Sequence, residues 1–306
     1  MTTLEDTAFE SRFAQNGDVR IHYAATGPKD GPLVVMLHGF PDYWYTWRSL
    51  MGALEDKYRC CAMDLRGYNL SSQPKGVENY HHGHLVEDVA AVIKAEGRTS
   101  AIIIGHDWGA AISWNVAFRR PDLIDLLVIL SVPHPLGMMR ELLTNPEQQA
   151  NSQYARNFQK DGSEDLLTID QQTFWVTDED AKPRYAAAFG RSDFAAMMNF
   201  YRANYPRMTA DTPPPAAPPQ LPKIKSPLLV LHGMQDKALH ANGHGGVWNH
   251  AEQDVTLVFY PHSGHFIQQD VAVQANRAIR DWLDAQLELA SCKPAMSSPP
   301  PVPSFF

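Results

Sequence analysis

The stretch best suited to chemistry is Gly105-His106-Asp107-Trp108-Gly109. It follows an apolar run, Ala101 to Ile104, and precedes a helical pattern. A G-x-nucleophile-x-G turn between a strand and a helix pushes its middle side chain out at the edge of a sheet, before a helix N-terminus that favours negative charge. The middle residue here is Asp, not Ser. A Ser attacking an sp³ carbon would leave an ether, which no neighbouring His could hydrolyse. A carboxylate attacking the same carbon leaves an ester, which activated water cleaves. Asp107 therefore points to displacement at an alkyl carbon, with an epoxide oxygen or a halide leaving. The plain alternative is a helix-terminal Asp with only a dipole role. The flanking glycines and the strand before them weigh against it.

Two further segments supply partners for that carboxylate. Leu37-His38-Gly39-Phe40-Pro41 ends the first buried strand. A loop in that place gives one backbone N–H of an oxyanion hole, assigned to Phe40; Trp108, next after Asp107, gives the second. Pro41 is a candidate for a cis peptide bond. Ser263-Gly264-His265-Phe266 follows the last strand, and Leu231-His232-Gly233-Met234-Gln235-Asp236 follows the strand before it. The order nucleophile, acid, His makes His265 the base and Asp236 the residue that holds its tautomer and offsets the imidazolium charge. The chain has 13 histidines, most of which are expected to be structural. The clusters His81, His82, His84 and His240, His244, His250 lack ligand spacing and neighbouring Cys. They read as surface or turn histidines, and no metal or other cofactor is expected.

These residues need rigid elements beneath them. Continuous apolar runs at Leu33 to Leu37, Cys60 to Met63, Ala101 to Ile104, Leu126 to Leu130, Leu228 to Leu231 and Val255 to Phe259 suit strands buried on both faces of a parallel sheet. Two β-like stretches, Phe9 to Ala14 and Val19 to Ala25, precede them. Helical patterns lie between: one through Leu85, Val89, Val92 and Ile93 that stops at Gly97, and others at Trp108 to Arg119 and Phe266 to Leu289. The alternation implies an α/β fold with a mostly parallel central sheet flanked by helices. It breaks between Pro135 and Pro222, an aromatic-rich, helix-patterned stretch that leaves through DTPPPAAPPQLPKIKSP. That stretch reads as an inserted helical cap over the carboxyl edge of the sheet. The expected organisation is core 1–134, cap 135–222, core 223–290 and a Pro/Ser-rich tail 291–306.

With 34 acidic and 26 basic residues among 306, the net charge of −8 argues against nucleic acid and anionic membrane as partners. No apolar run approaches the ~20 residues of a membrane span, and MTTLEDTAFE has no leader pattern. Three cysteines, two of them adjacent, do not suggest a disulfide framework, and a reducing cytoplasm fits.

The segments HGFPDYWYTWR (38–48), DLRGYNLSS (64–72), GHDWGA (105–110), LHGMQDKAL (231–239) and SGHF (263–266) together resemble the α/β-hydrolase superfamily, and within it the soluble epoxide hydrolases. The resemblance runs to about Leu289. It implies Asp107 as nucleophile, His265 as base, Asp236 as orienting acid, and two cap tyrosines aimed at the epoxide oxygen. Asn199-Phe200-Tyr201-Arg202-Ala203-Asn204 matches one, so Tyr201; Tyr154, four residues before Phe158-Gln159, matches the other. A phenol with a pKa near ~10 stays protonated at neutral pH and can donate to a departing alkoxide. Core packing is the ordinary alternative role for each. The partners implied are a small apolar epoxide and water, with the chain a monomer or homodimer. Candidate wall residues are Phe40, Trp44, Trp108, Phe158, Trp175, Met197, Met198 and Leu239. Asn69 stands where the family turn usually has Gly, and Asn also tolerates positive φ.

Three other readings remain at this point. Haloalkane dehalogenases share the Asp turn and following Trp, and hold halide with indole N–H groups; Trp108 with Trp175 or Trp44 could serve. Haloacid enzymes need an arginine pair on the helix after the nucleophile, and none occurs here before Arg119. A non-catalytic receptor on the same fold has no need of all five catalytic side chains.

Overall fold

The computed structural model describes residues 9–207, 212–213, 215 and 219–292. The tail beyond Cys292 and parts of the Pro-rich stretch lie outside them. The expected apolar runs form the strands β1 Glu10–Asn16, β2 Val19–Thr26, β3 Leu33–Leu37, β4 Arg59–Met63, β5 Ala101–His106, β6 Ile124–Leu130, β7 Leu228–Gly233 and β8 Val255–Tyr260. Their order in one sheet is β1-β2-β4-β3-β5-β6-β7-β8. Only β2 runs against the others; every pair from β4 to β8 is parallel.

Side chains alternate across a strand, so each central strand feeds two cores. Leu33, Val35 and Leu37 of β3 face one apolar cluster; Val34 and Met36 face the other. The first cluster takes residues of α2 His82–Ala95 and α3 Trp108–Arg119, with Trp114 wholly buried. The second takes α1 Arg48–Leu54 and the C-terminal helix, with Trp47 wholly buried. The cap contains α4 Pro135–Thr144, α5 Pro146–Asn151, α6 Gln153–Phe158, α7 Ile169–Thr173, α8 Lys182–Arg191 and α9 Phe194–Asn204, with no strand among its described residues. Two short helices start where a side chain satisfies free N–H groups. Asn145 caps α5, and Thr168 caps α7 in a capping box with Gln171.

Three expectations need correction. β8 is not buried on both faces; it is the sheet's edge, and Phe259 is 40 % exposed. The run from Phe266 to Leu289 is not one helix. It divides into α10 Ile267–Asp270 and α11 Ala272–Cys292, because Val271 leaves helical geometry at ψ 42°. The histidine clusters are not all at the surface. His244 is buried against His232, Nε2 to Nδ1 at 3.0 Å, and His82 is half-buried.

The close approach of α3 to β3 depends on Gly109. A Cβ there would lie 2.1 Å from the Leu37 carbonyl oxygen, and backbone cannot swing aside. Gly109→Ala should therefore lower unfolding free energy by roughly 1–3 kcal/mol, as overpacking does. Gly52→Ala, at an exposed position of α1 with nothing within 4 Å of the new Cβ, should raise it by about 0.5–1 kcal/mol. Urea unfolding of both variants checks the contrast; equal effects would contradict the packing described.

Candidate active site

β5 ends at His106, and the next residue turns sharply. Asp107 has φ 49° and ψ −121°, outside the regions open to most L-residues, and α3 begins immediately after it. Such backbone persists only where surroundings over-determine it. Here Gly39 lets the neighbouring loop close on the turn: a Cβ at Gly39 would stand 2.2 Å from Asp107 Cβ. The loop delivers the Phe40 N–H, which donates to Asp107 Oδ1 at 2.7 Å. The Phe40–Pro41 peptide is cis. Trp108 opens α3, so its N–H is among those a helix leaves unbonded at its start.

The loops after β7 and β8 are tied together. Gln235 N–H donates to the Ser263 carbonyl at 2.9 Å and Met234 N–H to the Tyr260 carbonyl at 2.9 Å. This brings Asp236 to His265, with Oδ2 2.7 Å from Nδ1. The other oxygen of Asp236 accepts from the N–H groups of Ala238 (2.7 Å) and Leu239 (3.0 Å). His265 Nε2 then faces Asp107 Oδ2 at 3.5 Å. The His265 carbonyl is held from behind by His106 Nε2 at 2.9 Å and Ser131 Oγ at 2.8 Å. His106 Nδ1 in turn meets the Gln268 side-chain amide at 3.1 Å. Sequence reasoning missed these three supports; only the place of His106 inside the turn signalled one of them.

Burial alone would push the His265 imidazole down. The charge of Asp236 and the contact with Asp107 outweigh it and hold His265 up to about 10. Burial works to raise both carboxyls, but His265 and nearby N–H groups leave Asp107 and Asp236 below the ordinary range. The resting arrangement is thus an imidazolium between two carboxylates.

A cavity of about 310 Å³ opens at Asp107. Tyr154 of α6 and Tyr201 of α9 both line it, their ring centres 6.2 Å apart. Burial, and then nearby negative charge including that of Asp107, pushes both phenols well above their usual range, so they stay protonated. Trp108 and Leu239 line the cavity. Among the other expected wall residues, Phe40 and Phe158 pack edge-to-face, 5.3 Å apart, beside Tyr201 and outside the lining. Met197 and Met198 are wholly buried in the core. Trp44 packs on Phe9, Tyr43 and Tyr45. Trp175 stacks on Phe266 at 3.9 Å. These corrections share a cause: large aromatic and Met side chains gain more by filling core than by facing a cavity. Sequence reasoning missed the wall made by α3, where Ala111, Asn115 and Phe118 continue the helical stripe from Trp108. It also missed Tyr205, His82 and Met138.

The turn at Asn69 forms at φ 45°. Its side-chain amide donates to Asp64 at 2.8 Å and its oxygen accepts from Arg191 at 2.8 Å. Among the described residues no cluster of side chains could hold a metal ion, and no helix is long and apolar enough to cross a membrane.

A family model described as alpha/beta hydrolase fold matches residues 32–270. Epoxide hydrolase 1 of Caenorhabditis elegans is 30% identical over 296 residues, covering 90% of this chain and 70% of that protein. The chain belongs to the epoxide-hydrolase family of the α/β-hydrolase superfamily. Within the superfamily it is also 31% identical to the AB hydrolase superfamily protein YfhM of Bacillus subtilis, across 90% of this chain and 98% of that one. The structure of a Bacillus megaterium epoxide hydrolase in complex with an inhibitor superposes with a TM-score of 0.80 at 28% identity, covering 89% of this chain and all of the other. One of the novel epoxide hydrolases from hot-environment metagenomes gives 0.81 at 30% identity, covering 90% and 98%.

In this epoxide-hydrolase relative, histidine-ring NMR should find His265 protonated throughout neutral pH and titrating near 10. Asp236→Asn removes the larger of the two stabilising charges and should move that titration downward. A His265 in the intact protein that titrates at the ordinary ~6.5 would contradict the two-carboxylate environment.

Proposed function

We propose that this protein hydrolyses an apolar epoxide to a vicinal diol through a covalent ester on Asp107, without a cofactor. The observation that carries this reading is the carboxylate at the strained turn, facing a protonatable imidazole on one side and two phenols across the cavity. The epoxide oxygen would accept hydrogen bonds from Tyr154 and Tyr201. Asp107 attacks a ring carbon, the C–O bond breaks, and a phenol gives its proton to the forming alkoxide. General-acid help of this kind is typically worth ~10²–10⁴-fold.

Esterification also removes the charge of Asp107. One of the two carboxylates that hold His265 protonated is then gone, and the imidazolium can return a proton, through water, to the phenolate. Neutral His265, oriented by Asp236, next takes a proton from water. The hydroxide adds to the ester carbonyl, whose oxygen gains charge at the N–H groups of Phe40 and Trp108, and the diol leaves. Donors so placed are worth roughly 3 kcal/mol. The cycle restores imidazolium, carboxylate and phenol, and consumes one epoxide and one water.

Haloalkane dehalogenation is less well supported. Neither candidate for its second indole donor serves: Trp175 Nε1 donates to the Gln172 carbonyl at 2.9 Å with its ring stacked on Phe266, and Trp44 packs on Phe9, Tyr43 and Tyr45 outside the cavity lining. The Trp108 ring packs edge-to-face with that of Tyr201, centres 4.9 Å apart. A halide also has no use for two phenols. A receptor role would leave the paired carboxylates and imidazole unused.

His265→Gln should accumulate the ester, seen as a protein mass increase equal to the whole epoxide; no adduct in a single turnover would contradict the two-step scheme. The double variant Tyr154→Phe, Tyr201→Phe should lose epoxide opening by at least ~10²-fold; full retained activity would remove the phenols from the mechanism. Halide released from a haloalkane panel, with no diol from styrene-type epoxides, would favour the dehalogenase reading.

A further inference from the structure

The two phenols sit on different cap helices, so something must set their spacing. Tyr154 is the second residue of α6, and Tyr201 stands in the last turn of α9. Gln159 is the residue that ends α6. Its side-chain amide donates to the Tyr201 carbonyl at 3.2 Å and to the Tyr205 carbonyl at 2.8 Å. The Tyr201 carbonyl already accepts the Tyr205 N–H at 3.1 Å; Gln159 gives it a second donor from the neighbouring helix and also holds the Tyr205 carbonyl just past the end of α9. Its own N–H donates back into α6, to the Ala155 carbonyl at 3.2 Å. One side chain thus joins the end of the helix that carries Tyr154 to the main chain of Tyr201. Tyr205, the other residue it holds, lines the same cavity with its ring centre 6.2 Å from that of Tyr201. Arg202 adds a tie farther out, to the Lys160 carbonyl at 2.9 Å and to Glu164, but touches neither tyrosine's main chain in this way.

We infer that Gln159 is a positioning residue for the ring-opening step: its bridge from α6 to the Tyr201 and Tyr205 carbonyls holds the two proton donors at the separation one epoxide oxygen can use. The inference rests on the epoxide-opening reading above. It follows from what an amide can do and a carboxylate cannot. Both bonds need N–H donors. Glu in the same volume would set an acceptor against two carbonyl oxygens, and Leu would leave both unbridged. A phenol displaced by an ångström loses much of its effect on a leaving oxygen. The ester-hydrolysis step uses His265, Asp236 and the N–H groups of Phe40 and Trp108, none of which Gln159 touches.

Single-turnover rapid quench with styrene oxide, on the full chain and on Gln159→Glu and Gln159→Leu, separates the two half-reactions. Ester formation should fall on the order of tenfold or more, while ester decay stays within about twofold of the parent. Melting curves taken alongside show that the variants are folded. Formation and decay falling by one common factor, or neither changing, would overturn the positioning role while the ester on the parent enzyme upholds the reaction. Absence of any ester on the parent enzyme would instead overturn the reaction itself, and the role of Gln159 with it.

Discussion

A negative charge kept in a mostly apolar interior is the constraint on which this site turns. Burial penalises the ionised form of Asp107, yet the carboxyl is held below its ordinary pKa. Two contacts outweigh that penalty: the Phe40 N–H at 2.7 Å and the His265 imidazole at 3.5 Å. The imidazole can carry charge there only because Asp236 lies 2.7 Å from its other nitrogen. The charge on the imidazole thus depends on both carboxylates, Asp236 foremost. The same coupling gives the proposed cycle its order, since a group that is charged before alkylation becomes a base only after it.

The fold serves this arrangement by bringing distant chain segments to one sheet edge. Asp107 follows β5, Phe40 follows β3, Asp236 follows β7 and His265 follows β8. Parallel strands end on the same side, so four loops meet without a long connection crossing the site. The side chains behind them are polar, and each makes at least one hydrogen bond. His106 and Ser131 join the ends of β5 and β6 to the loop after β8 through the His265 carbonyl, and Gln268 holds His106 from its other ring nitrogen. Asp42, in the loop after β3, is wholly buried, and burial pushes it up to about 7 despite hydrogen bonds from Tyr43 and Tyr185. The helical insertion contributes Tyr154, Tyr201 and Tyr205 to the cavity that opens at the carboxylate.

Much of this was legible in the residues. Buried parallel strands announce themselves as short apolar runs, and the turn at Asp107 is marked by its two glycines and by helix and strand on either side. Asp236 and His265 could be chosen from many candidates because strand order limits where an acid and a base can sit. Tyr154 and Tyr201 were legible only through likeness to a family, since a helical cap rich in aromatics offers many equivalent rings. What stayed hidden depends on packing. Whether Trp44, Trp175, Met197 or Met198 faces a cavity or a core is decided by which helices meet, and local pattern carries no trace of that. The lining by Ala111, Asn115 and Phe118 was readable in principle, as a stripe at helical spacing from Trp108, but a small residue and an amide give no hydrophobic signal. β8 looked buried because its composition is apolar, while its place at the sheet edge is a property of the whole topology.

The covalent route makes one demand that no other hydrolysis of the same substrate makes. In a single turnover carried out in ¹⁸O-labelled water, the label should enter the side-chain carboxylate of Asp107, found by mass spectrometry of its peptide, while the first diol released takes its new oxygen from the unlabelled enzyme. Label present in that first diol and absent from Asp107 would mean that water attacks the ring directly, and would contradict a covalent ester on Asp107.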